Sequence, residues 1–63
     1  MIGDNLRKAR QAAGMTQENV LEHIEGDAAK LSNWENGKHL PHLATFIKLC
    51  KIYGCTPNDI LEF

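Results

Sequence analysis

Apolar residues recur along this chain at intervals of three and four, and nowhere alternate with polar ones over the length of a strand. Leu6, Ala9 and Ala13 mark a narrow stripe on a first helix from about Gly3 to Ala13, which Gly14 ends by accepting a left-handed conformation. Val20, Leu21 and Ile24 form the buried side of a second helix, Gln17 to His23, capped by the Thr16 hydroxyl. Leu31 and Trp34 are the inward pair of a third, from about Ala28 to Glu35, entered through Asp27 as N-cap and stopped by Asn36-Gly37. Leu40-Pro41 is extended, because proline disfavours helix in the residue before it. Leu43, Phe46, Leu49, Cys50 and Tyr53 keep the spacing across a fourth helix, His42 to Tyr53, ended by Gly54. Thr56 caps a last turn, Pro57 takes its favoured first helical position, and Ile60 and Leu61 close the core.

The pattern predicts an all-α, compact five-helix bundle, with residues 1–63 as a single domain. Helices this short are marginal in isolation, so packing between them must supply the stability. A chain of 63 residues is near the lower limit for folding without staples, but a hydrophobic fraction of 43% is ordinary for a globular domain and argues against disorder. No apolar run reaches membrane-spanning length, and the N-terminal MIGDNLRKAR has no signal-peptide core, so a soluble cytoplasmic protein is expected. Cys50 and Cys55 are spaced C-x4-C with no second pair, a poor zinc pattern. Both fall at apolar positions and read as small core residues. No cofactor is implied.

Charge adds a constraint. Seven Lys and Arg against eight Asp and Glu leave a net charge of −1, which gives little of the counterion release that drives non-specific nucleic-acid binding. The distribution matters more than the sum. Arg7, Lys8 and Arg10 gather in the first helix, Lys30, Lys38 and His39 bracket the third, and Asp59 and Glu62 lie at the far end.

The segment from Thr16 to Lys38, TQENVLEHIEGDAAKLSNWENGK, reads as two short helices joined by a tight turn containing glycine. That is a helix-turn-helix over about residues 17–36, in which the second helix enters the major groove of DNA. The Thr-Gln that opens its first helix and the Trp-Glu-x-Gly-Lys that follows its second resemble phage repressor/Cro-type regulators, the XRE family, and the resemblance extends over nearly all of the chain. It implies a repressor-like bundle that regulates transcription, in the first place as a repressor. It also implies homodimers on pseudo-palindromic double-stranded operators.

The resemblance assigns roles by position. Family members usually carry Ala and Gly where this chain has Leu21 and Glu25, with Gly26 one residue late, so the turn is expected to be shifted by a residue or reshaped. Gln17, behind Thr16, matches the glutamine that bridges the DNA backbone and, in some members, the recognition helix. Asp27, Ala28 and Ala29 match residues that enter the groove; Asp27 reads better as a cap, and either alanine suits a thymine methyl. Lys30 suits a guanine edge or a phosphate, Asn33 suits adenine N6 and N7, and Ser32 shares their outward face. Asn36, Lys38 and His39 lie in a loop expected to follow the sugar-phosphate backbone, and His42 lies where some relatives send a basic side chain toward the minor groove. Arg10 and Glu35 match a partly buried ion pair.

Other classes fit less well. No nucleophile, base and orienting group can be assembled, so an enzyme is not expected. His39 and His42 form an H-x2-H pair without a further ligand at local spacing, so no metal is expected. The alternative is a protein-interaction module of the same fold that has lost DNA binding, favoured by the neutral charge, by Ala28-Ala29 and by the unusual turn. For the homodimer, Phe63, with Leu40, is the expected exposed contact near the two-fold axis.

Overall fold

Five helices form over Ile2–Ala12 (α1), Gln17–Leu21 (α2), Ala28–Glu35 (α3), Leu43–Tyr53 (α4) and Pro57–Leu61 (α5) in a computed structural model that describes residues 2–61. No strand occurs among the described residues, and the all-α five-helix reading holds. The core gathers Leu6, Val20, Ile24, Leu31, Trp34, Phe46, Leu49, Cys50, Tyr53 and Ile60 from all five helices and the turn after α2. Cys50 is buried and Cys55 half-buried, and both are free thiols packed with apolar neighbours.

The helix ends follow from local chemistry. Thr16 Oγ1 accepts from the Asn19 amide at 3.1 Å while Asn19 Oδ1 accepts from the Thr16 amide at 3.0 Å, a reciprocal box that starts α2. A matching pair starts α5: Asp59 N donates to Thr56 Oγ1 at 3.3 Å and Thr56 N donates to Asp59 Oδ2 at 2.9 Å. The hydrogen bonds from Thr56, its backbone amide first, hold the Asp59 carboxyl below the ordinary carboxylate range. At the end of α4, Gly54 takes φ 71°, and Cys55 N reaches back to Cys50 O at 3.0 Å in a Schellman closure.

Several expectations from the sequence need correction. The second helix stops at Leu21, two residues before His23, because the chain tightens there into i→i+3 turns such as His23 N to Val20 O. Ala13 is exposed past the end of α1, so the apolar stripe of that helix is Leu6 with Ala9. His42 is the N-cap of α4 rather than its first residue. Leu43 is 72% exposed instead of inward; it stands one turn before Phe46 at the rim of an open apolar groove that Ile2 and Leu61 also line. A feature not expected from the sequence is Gly3, which is buried where α1 crosses α3. A Cβ there would stand 2.7 Å from the carbonyl oxygens of both Trp34 and Glu35, so the two helices approach at a distance only glycine allows.

Candidate nucleic-acid interface

The turn of the motif is reshaped in the expected direction. The positive φ, 146°, falls on Gly26 rather than on residue 25, and Leu21 is half-buried against the core between the helices. The chain then extends through Asp27, whose Oδ1 accepts from the Lys30 amide at 2.9 Å and caps α3 as expected. Leu31 and Trp34 anchor α3 from within. Ala28, Ala29 and Lys30 stand exposed on its first turn, and Ser32 and Asn33 are half-buried further along.

Behind α3 lies a concentrated polar arrangement. The Glu35 carboxylate is buried, 2% exposed, yet it is satisfied on both oxygens. Arg10 Nε donates to Oε2 at 2.7 Å and Arg10 Nη2 donates to Oε1 at 3.1 Å, a bidentate pair. Arg10 Nη1 also donates to Met15 O at 2.9 Å, which ties the α1–α2 connection to the same guanidinium. The hydrogen bond to Glu35 raises the Arg10 pKa above its ordinary value despite burial. Gln17 Nε2 donates to Glu35 Oε1 at 3.2 Å, joining the start of α2 to the end of α3. Tyr53 lies in the field of this pair. Burial first, and the Glu35 charge second, push its phenol up to about 12.

Arg7 was not expected here. Its guanidinium approaches Glu35 Oε1 at 3.7 Å and donates to Asn36 Oδ1 at 2.8 Å, and Asn36 Nδ2 donates to Ser32 Oγ at 3.2 Å. No local pattern signals a contact between residues 29 apart in sequence.

After α3 the loop folds back on the helix it leaves. Gly37 takes φ 79°, Lys38 N donates to Asn33 O at 2.9 Å and Gly37 N donates to Trp34 O at 3.3 Å. This closure sets Lys38 and His39, both exposed, beside the end of α3. Lys30, Asn33, His39 and His42 converge on one depression of about 370 Å³, joined by Glu25 and Thr45, which the sequence did not single out. Ala28 and Ala29 are not part of that depression; Gln17 reaches α3 through Glu35, while Thr16 bonds within the start of α2. Among the described residues, no group of three or more His, Cys, Asp or Glu side chains gathers as a metal site. No helix of the structure is long and apolar enough to cross a membrane.

Two consecutive short helices with a pinned second helix, a reshaped tight turn and a glycine-closed loop define a helix-turn-helix domain. Residues 2–63 match the helix-turn-helix domain family, and the chain belongs to it. It is similar to the HTH-type transcriptional regulator ImmR of Bacillus subtilis (strain 168), at 33% identity over 60 residues, covering 95% of this chain and 47% of that protein. It is also similar to the HTH-type transcriptional activator BcrR of Enterococcus faecalis, at 25% identity over 61 residues, covering 97% of this chain and 30% of that protein. The chain thus spans less than half the length of either relative. No solved structure matches it significantly.

Proposed function

We propose that this domain binds double-stranded DNA sequence-specifically, with α3 in the major groove, as the reading head of a transcriptional regulator. The observation that carries the reading is the division of α3 into two faces. One is locked to the bundle by Leu31, Trp34 and the Arg10–Glu35–Gln17 network, and the other presents Ala28, Ala29, Lys30, Ser32 and Asn33 outward. In this reading Asn33 and Lys30 contact base edges and an alanine meets a thymine methyl. Asn36, Lys38 and His39 follow the backbone, and His42 reaches to the groove edge. Thr16 and the amide groups of Gln17 left over from its bond to Glu35 approach a phosphate at the start of α2. In this reading the protein works in the cytoplasm, beside its DNA partner. The names of both relatives, a transcriptional regulator and a transcriptional activator, support regulation of transcription; the form proposed here is repression by occlusion of the operator.

Two copies act together in this proposal. Recognition helices serving adjacent half-sites lie ~34 Å apart, one turn of DNA. The domain's Cα framework measures 28 × 23 × 19 Å, a size at which two copies fit side by side at that spacing. An apolar groove of about 260 Å³ lined by Ile2, Leu40, Pro41, Leu43, Phe46 and Leu61 follows the α3 loop directly, with Leu40 70% exposed, and is the face for the second copy. Phe63, the other residue expected at this contact, lies outside the described residues. Sedimentation with a full palindrome and with one half-site tests the pairing, and one chain per palindrome at saturation contradicts it.

A second reading, an interaction module without DNA binding, rests on one observation: Glu25 brings a carboxylate to the depression that a phosphate would approach. A gel shift on random duplex DNA at low and moderate salt separates the two, because only the DNA reader gives a shift that salt weakens.

A further inference from the structure

The Arg7–Asn36–Ser32 chain has a direction that fixes more than position. A guanidinium carries only donors, so the Asn36 amide must turn its oxygen toward Arg7 Nη2, at 2.8 Å. The same amide then has only its NH2 group for Ser32 Oγ, at 3.2 Å. Ser32 thereby serves as acceptor within the protein, and its single hydroxyl proton is left for another partner. No acceptor among the described residues takes that proton. Ser32 is half-buried on α3, beside Asn33 and two residues after the exposed Lys30.

We propose that Arg7, a residue of α1, fixes Ser32 through Asn36 as a hydrogen-bond donor toward an acceptor atom of DNA, and so helps determine which sequence is read. The acceptor is either a base-edge atom such as a purine N7 or a phosphate oxygen. Arg7 is a positioning residue here, since it touches Asn36 and Glu35 and acts on Ser32 through Asn36. The inference rests on the DNA-reading proposal above.

The test is whether Ser32 matters only when the chain behind it is intact. A site is first selected from random duplex DNA with the unaltered 63-residue chain. Ser32→Ala is then expected to lower affinity for that site about 3- to 10-fold, the effect of one hydrogen bond. In an Arg7→Met or an Asn36→Asp background the same Ser32→Ala change should cost nothing. Methionine cannot hold the amide, and an aspartate accepts the hydroxyl proton inward. Arg7→Lys keeps a donor and should restore the Ser32 effect. Using Ser32 as the readout removes the general charge effects of Arg7→Met and Asn36→Asp, which are the same with serine or alanine present.

A second measurement needs neither background variant. A 7-deazapurine placed at one base, or a methylphosphonate at one phosphate, should weaken the unaltered chain and leave Ser32→Ala unaffected, and whichever does so identifies the acceptor. An equal Ser32→Ala cost in every background, or no cost in the unaltered chain, overturns the inference while DNA binding itself stands. Failure of the unaltered chain to enrich any site overturns the DNA reading, and this inference with it.

Discussion

In the proposed reading, single side chains on the outward face of α3 and its loop divide into those that read and those that hold. Asn33 is half-buried in the depression shared with Lys30 and His39, and its carbonyl already fastens the loop through Lys38 N. Asn33→Ala should therefore weaken a selected operator by ~1–3 kcal/mol without loss of helix content, since the fastening uses only backbone. Titration of that operator checks it, and unchanged affinity removes Asn33 from the interface. Lys38 is exposed beyond Gly37. Lys38→Ala should weaken all sequences about equally and lower the salt slope by about one, whereas a loss at one base position shows that it reads sequence.

Tyr53 gives a prediction about stability. Its hydroxyl is buried without a hydrogen-bond partner among the described residues, so the fold holds the neutral phenol. Burial raises Tyr53 from 10.0 to about 12, and burial likewise raises Cys50 from 9.0 to about 11. Both groups are neutral when protonated, and their folded values exceed their unfolded ones. The stability linked to them is complete below pH 9 and is lost as pH rises through 11 for Cys50 and 12 for Tyr53. Thermal melts from pH 7 to 12 should show that decline. Tyr53→Phe should remove its share and change stability at pH 7 by no more than about 1 kcal/mol, because no hydrogen bond is broken. A large loss at pH 7 means that the hydroxyl has a partner after all.

Among the elements, α3 was legible in the sequence to the residue, and α2 was not. Both ends of α3 carry strong local chemistry, an aspartate that caps and an Asn-Gly that stops. The end of α2 has no such mark, because its glycine comes late, at Gly26, and the helix gives way to tighter turns before reaching it. Leu43 obeys the helical period and still misses the core, since periodicity gives a face but not how far the neighbouring elements extend. The Arg10–Glu35 pair was legible only through the family resemblance, and the Arg7–Asn36 contact not at all. Gly3 was invisible for the same reason: a glycine near a helix start looks neutral until α3 is seen lying against it. Gly3→Ala improves helix propensity by ~1 kcal/mol but drives a methyl into two backbone carbonyls. The net result should be a loss of about 1–3 kcal/mol in denaturant titration, with α3 displaced enough to weaken DNA binding as well. A more stable Gly3→Ala chain contradicts the close packing of α1 on α3.

For the whole chain, the unusual property of the proposed DNA reader is its net charge of −1. Few phosphates can be neutralised by one copy, so useful affinity has to come from shape, from the few base contacts and from linking two copies on one site. That expectation joins the outward face of α3 to the apolar groove beside Leu40, and makes DNA selection the most direct test of the account. The measurement is enrichment of bound duplexes by the 63-residue chain from a random pool at low salt. The expected result is a defined sequence with two-fold related half-sites whose centres lie about one helical turn, ~10 base pairs, apart. A pool that stays random after repeated rounds contradicts it.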